Sequence, residues 1–140
     1  MSLSAPGYSY ILPTLAMGSA PIPGVKLNFD LLVLCAYEYQ LKSINFPGVS
    51  VLHAPFDDTE APTKQDLRMA KEAAKIVCKE INDGKRVLVT CWAGRNRSGL
   101  VTGLAMRKLG YDGEAVIRLI RARRGTDALS NKTYAAIINK

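Results

Sequence analysis

Histidine occurs once in this chain of 140 residues, at His53, and cysteine three times, at Cys35, Cys78 and Cys91. An odd number of widely spaced cysteines excludes the framework of a small disulfide-stapled domain. With one histidine and no close cysteine pair, the ligand pattern of a structural zinc site is also missing. No apolar run approaches the roughly 20 residues of a membrane span. The N-terminus lacks the basic start and continuous apolar core of a signal peptide. Acidic residues are in deficit, 12 against 19 Lys and Arg, for a net charge of +7. That balance favours phosphorylated or otherwise acidic partners, with plain solubility as the alternative. No repeat, linker or low-complexity tract appears. The expectation is a single cytoplasmic domain over residues 1–140, monomeric and without a membrane span.

What the chain does contain is concentrated in residues 87–106, VLVTCWAGRNRSGLVTGLAM. Val87–Thr90 has the β-branched, apolar character of a buried strand. It stops at Cys91, and Trp92, Ala93, Gly94, Arg95, Asn96, Arg97, Ser98 and Gly99 precede an apolar stretch from Leu100. A strand, a short loop and a helix start gather backbone N–H groups around one point. The first helical N–H groups lack intrahelical partners and carry the positive end of the dipole, so this is the geometry of an anion cradle. A cysteine at its lip has its thiolate stabilised by the same amides and by Arg97.

Cys91-Trp92-Ala93-Gly94-Arg95-Asn96-Arg97, followed by Ser98-Gly99, resembles the C-x-x-x-x-x-R signature of cysteine-dependent phosphatases. Over nearly its whole length the chain resembles a compact, atypical dual-specificity phosphatase of that superfamily. One departure stands in the signature. The family usually has His before the cysteine, and here Thr90 takes its place, able to supply a hydrogen bond but no charge.

In chain order, residues 1–7 read as a loosely held tail. Tyr8–Leu12 and residues 15–17 read as two short strands around Pro13, and 29–35 and 49–53 as further buried strands. Glu38, between Tyr37 and Tyr39, is either an edge of the pocket, as the resemblance implies, or part of a surface turn; the resemblance also places a short helix after it. Lys64–Asn82 carries Leu67, Ala70, Ala74, Val77 and Ile81 at helical spacing, with Thr63 as its cap and Asp66 in its first turn. A nearly all-apolar helix follows the cradle, with Gly99 and Gly103 permitting close backbone packing. Asp112 caps a helix ending in basic residues near Arg123, and Ser130 or Asn131 caps a last one. Cys35 and Cys78 read as core, and His53 as structural. The fold class is α/β, a mostly parallel central sheet flanked by helices, phosphotyrosine protein phosphatase-like.

The resemblance implies metal-independent hydrolysis of phosphate monoesters, with no cofactor. Cys91 is then the nucleophile and Arg97 the bidentate phosphate ligand. Ser98 supports the thiolate, and Trp92, Ala93, Gly94, Arg95 and Asn96 form the substrate loop. Ester cleavage needs a proton for the departing oxygen, and a carboxylic acid on a mobile loop supplies it. Asp58, three residues after Pro55, holds the family's general-acid position, with Asp57 as the alternative. The expected substrates are phosphotyrosine and phosphoserine/threonine on proteins. Gly94-x-Asn96-Arg97-x-Gly99, with Arg123-Arg124-Gly125 and Tyr134, also resembles an RNA 5′-phosphatase branch. Phosphoinositides are a third substrate class, although that branch favours lysines in the loop and this loop has none. An inactive phosphate-binding module is the reading without turnover.

Overall fold

The computed structural model describes residues 7–140, so the N-terminal tail, apart from Gly7, lies outside the described residues. Five strands form one sheet: β1 (Tyr8–Leu12), β2 (Leu15–Gly18), β3 (Leu31–Ala36), β4 (Ser50–Phe56) and β5 (Val87–Thr90). Their order is β1-β2-β5-β3-β4. Only the β1–β2 hairpin is antiparallel; β5 is parallel to both of its neighbours, β2 and β3. Among the described residues four helices follow: α1 (Lys64–Asn82), α2 (Arg97–Lys108), α3 (Gly113–Arg124) and α4 (Lys132–Asn139).

Alternation along the strands divides the core. Leu15, Met17, Leu31, Val33, Val87 and Val89 point to one face and pack with all four helices. Ala16, Leu32, Leu34 and Leu88 point to the other, where Phe29 and Phe46 from irregular chain cover them. Burial on both faces is why β3, and β5 up to its last residue Thr90, are apolar and show no polar alternation. In register, Gly18 of β2 and Leu34 of β3 both lie opposite Thr90, so Cys91 emerges where β2 and β5 end together, with β3 running on to Ala36. In open α/β sheets this carboxyl edge is where ligands bind.

Several local expectations shift. The strand near 49–53 runs on to Phe56, because β4 is an edge strand and an edge tolerates the missing N–H of Pro55. The strand at 29–35 begins later, at Leu31, leaving Phe29 to the second cluster. A 3-10 turn at Ser43–Asn45 stands where a short helix was expected. The helix after the loop starts at Arg97 itself, three residues before the apolar run. Gly99 and Gly103 admit side chains where backbone packing was expected: a Cβ would overlap Leu129 at the first and Ile138 at the second. Cys78 is only half-buried, with the Asn82 amide 3.8 Å from its sulfur, whereas Cys35 is fully buried and burial pushes its thiol pKa up. α1 has the expected bounds, closed at its start by a reciprocal Thr63–Asp66 capping box.

Thr90 is buried, and its hydroxyl donates to the Val33 carbonyl at 2.8 Å. The residue in the histidine position therefore ties β5 to β3 directly beneath Cys91. Replacing it by Val keeps the shape and removes the bond. Thr90→Val is expected to lower unfolding free energy by about 1 kcal/mol, read as a shift in the urea midpoint at unchanged slope.

Candidate active site

The loop from Cys91 to Asn96 joins β5 to α2, and each of its five carbonyls beyond Cys91 is satisfied from outside the loop. The Trp92 carbonyl accepts from Ala20 N–H at 3.0 Å, that of Arg95 from Leu129 N–H at 3.1 Å, and that of Asn96 from Leu100 N–H at 2.8 Å. The guanidinium of Arg124 supplies the other two, Nε to the Gly94 carbonyl at 3.0 Å and Nη2 to that of Ala93 at 3.4 Å. In a planar trans peptide the next N–H points opposite its carbonyl. With the carbonyls of 92–96 turned outward, the amides of 93–97 are turned inward. Among the described residues none of these five amides donates to a protein acceptor. Gly94 makes the turn possible: its φ is +71°, and a Cβ there would overlap the Gly18–Ser19 backbone.

Cys91 lies at the mouth of this ring, almost fully buried, with its sulfur 3.3 Å from the hydroxyl of buried Ser98. Arg97, also buried, donates from Nη1 and Nη2 to the two Glu38 carboxylate oxygens, both at 2.7 Å, and from Nη1 to the Phe56 carbonyl at 3.2 Å. Three of its five N–H groups are thereby used. Nε–H and one Nη2–H remain together on one edge of the guanidinium, spaced to grip two oxygens of one anion. Glu38 thus belongs to the site and fixes the orientation of the guanidinium. The arginine holds the Glu38 carboxyl well below the usual range, at about 2, chiefly through the shared hydrogen bonds. In return the pair raises the Arg97 pKa. Arg124, the second buried cation, has its pKa lowered by desolvation.

The two aspartates separate clearly. Asp58 directs its carboxylate to the loop: Oδ2 accepts from Asn96 Nδ2 at 3.0 Å and Oδ1 from Asn131 Nδ2 at 2.9 Å. Asp57 contributes its backbone carbonyl, which accepts from the Tyr134 hydroxyl at 2.7 Å. The acid-bearing segment, expected to be mobile, is pinned to the start of α4. Asn131 Nδ2 donates to the Thr59 carbonyl at 2.9 Å, and the Thr133 hydroxyl to that of Glu60 at 2.8 Å. Burial pushes the Tyr134 hydroxyl up to about 12, so it remains a donor.

The other loop side chains face outward. Trp92 is 57% exposed and meets Tyr39 edge-on, ring centroids 6.1 Å apart. Tyr39 donates its hydroxyl to the Pro21 carbonyl. Ala93 is exposed, and Arg95 lies 4.0 Å from Asp127 across an exposed ion pair. His53 pairs with Gln40 at 2.8 Å, away from the loop. Sequence reasoning gave Asn131 no place in the site and saw it only as a helix cap. Arg123-Arg124-Gly125 and Tyr134 stood out through their resemblance to the RNA 5′-phosphatase branch, but the bonds of Arg124 to the loop carbonyls and of Tyr134 to Asp57 were not legible.

A ring of inward amides at the carboxyl edge of a parallel sheet, with a buried cysteine beside it and a fixed arginine that keeps one edge uncommitted, makes an α/β site suited to an oxyanion such as phosphate. The family model "Dual specificity phosphatase, catalytic domain" matches residues 18–139. The chain belongs to this phosphatase family. Human DUSP28 superposes with a TM-score of 0.80 at 23% identity, over 99% of this chain and 94% of that one. PTPMT1, solved in complex with PI(5)P, gives 0.78 at 20%, over 95% and 92%. Tk-PTP in its active form gives 0.70 at 21%, over 96% and 97%. No curated protein matches the sequence.

Glu38→Gln removes the ionic half of the Arg97 pair. Because the folded carboxyl sits near 2, below its ordinary 4.5, its contribution is complete above pH 4.5 and is lost as pH falls from there toward 2. With the Glu38 side chain 47% exposed, solvent screening leaves about 1 kcal/mol near neutrality. Chemical denaturation across pH is expected to show the wild-type advantage over Glu38→Gln collapsing within that window.

Proposed function

We propose that this protein hydrolyses phosphate monoesters through a phosphocysteine intermediate, acting on phosphotyrosine and phosphoserine/threonine of proteins. The observation that carries the reading is the loop itself: five amides turned inward around Cys91, with Arg97 offering its one unengaged edge. A phosphate dianion meets both demands at once, since its oxygens accept from amides and from a guanidinium fork.

Cys91 attacks phosphorus as the thiolate, forming the S–P bond while the P–O bond to the leaving group breaks. Arg97 and the amides hold the equatorial oxygens, whose charge they match most closely in the transition state. Asp58 gives its proton to the departing oxygen, then takes one from the water that cleaves the S–P bond. Inorganic phosphate leaves, and the Ser98 hydroxyl donates to the returning thiolate. Ala93, Gly94, Arg95 and Asn96 contribute backbone to the cradle. Trp92 and Tyr39 raise an aromatic edge beside Cys91, which favours aryl esters such as phosphotyrosine, whose leaving group is a phenol.

A phosphoinositide reading draws support from the PTPMT1 structure with PI(5)P. Against it stands the loop's lack of lysine. The exposed Arg95, Arg118, Arg123 and Lys132 are the feature that suits RNA, through phosphate contacts.

With a metal chelator present, wild-type protein is expected to release phosphate from an aryl phosphate. Cys91→Ser should lose about 10⁴-fold or more, the scale for removing a nucleophile. Arg97→Lys should lose about 10²–10³-fold, as when a transition-state donor is removed. Phosphate binding without turnover in wild type would instead identify a binding module. Phosphopeptides, 5′-phosphorylated RNA and phosphoinositide vesicles, assayed in parallel, rank the substrate classes.

A further inference from the structure

The Asp58 carboxylate is held from both sides by asparagine amides, and the orientation of each amide is set by a separate bond. Asn131 Oδ1 accepts from Tyr134 N–H at 3.1 Å as the N-cap of α4. Its NH₂ must then face the other way, where it meets Asp58 Oδ1 and the Thr59 carbonyl, both at 2.9 Å. Asn96 Oδ1 accepts from the Asn131 backbone N–H at 2.9 Å, which turns its own NH₂ onto Asp58 Oδ2 at 3.0 Å. A continuous chain of bonds thus runs from the phosphate loop through Asn96, Asp58 and Asn131 to α4. Asn131 is buried, so its amide makes these bonds without competition from bulk water.

A carboxylate offers about four lone-pair positions, two on each oxygen. The asparagines occupy one on each. That fixes the plane of the group and leaves one position per oxygen for the transferable proton. We infer that Asn96 and Asn131 are positioning residues that aim the Asp58 carboxyl at the leaving oxygen, so that the acid is in place before substrate arrives and no loop closure is needed. Asn131 does this from outside the pocket. The inference rests on Asp58 serving as the general acid.

Leaving-group dependence separates this role from a structural one. An ester of an acidic phenol departs with little need of a proton, whereas phenyl phosphate, whose phenol has a pKa of about 10, depends on one. The test compares kcat/KM for the two esters in wild type, Asp58→Asn and Asn131→Ser. Serine keeps a good helix cap but loses the paired amide donors. In Asp58→Asn the ratio of fast to slow ester is expected to rise by about 10²–10⁴, the contribution of a general acid. In Asn131→Ser it is expected to rise by about tenfold or more, a part of that contribution. If Asp58→Asn is selective and Asn131→Ser has the wild-type ratio, the positioning role is overturned and the acid assignment stands. An unselective Asp58→Asn overturns the acid assignment and the inference with it. Thermal melts accompany each variant. Should Asn131→Ser fail to fold, Asn96→Ala, whose side chain caps no helix, decides the matter by the same ratio.

Discussion

Five consecutive carbonyls pointing away from their own loop form the constraint on which the site depends. A buried carbonyl without a donor costs about 1–3 kcal/mol, so five of them could turn outward only where donors already waited. The fold supplies those donors from four directions: the chain after β2, the end of α3, the turn before α4 and the first turn of α2. Arg124 serves two of them from a buried position, which explains why a cation belongs there even though desolvation lowers its pKa. The amides left facing inward follow from peptide planarity. The anion cradle is thus a product of the whole domain, and no single loop residue creates it.

The charge at the site is arranged in the same way, by prior commitment. Arg97 is bidentate to Glu38 on one edge, so the flexible fork is already oriented for the phosphate that the proposed reaction brings to it. Such preorganisation avoids the entropy of fixing a long side chain during the reaction. Beneath the cysteine, Thr90 bonds to β3 and places no titrating group against the sulfur. In the proposed mechanism a charge on Cys91 is therefore met by the amides, the Ser98 hydroxyl and the two buried arginines.

Much of this was legible in the sequence, and the remainder was hidden for physical reasons. α1 could be read to the residue because its signals are local: the cap at Thr63, Asp66 three positions on, and apolar residues at helical spacing. The strand–loop–helix at Cys91 was legible for the same reason. β4 was read short because Pro55 interrupts a strand pattern, and whether a strand lies at a sheet edge is a tertiary fact. Glu38 left two readings open because the choice between pocket edge and surface turn depends on Arg97, 59 residues away in sequence. Asn131 announced itself as a helix cap, but its amide partner Asp58 lies 73 positions earlier. Side-chain bonds across such separations leave no periodicity to read. The helices, too, collect on one face, because the long irregular segment with Phe29 and Phe46 closes the other.

Trapping the covalent intermediate tests the central claim most directly. Asp58→Asn, slowed in the step that needs a base, is mixed with an ester of an acidic phenol, quenched in acid within one turnover and digested for mass spectrometry. One phosphoryl group is expected on the peptide carrying Cys91, lost again on longer incubation and absent from Cys91→Ser. Phosphate release with no phosphoryl group on Cys91 at any time, or release that persists in Cys91→Ser, would contradict it.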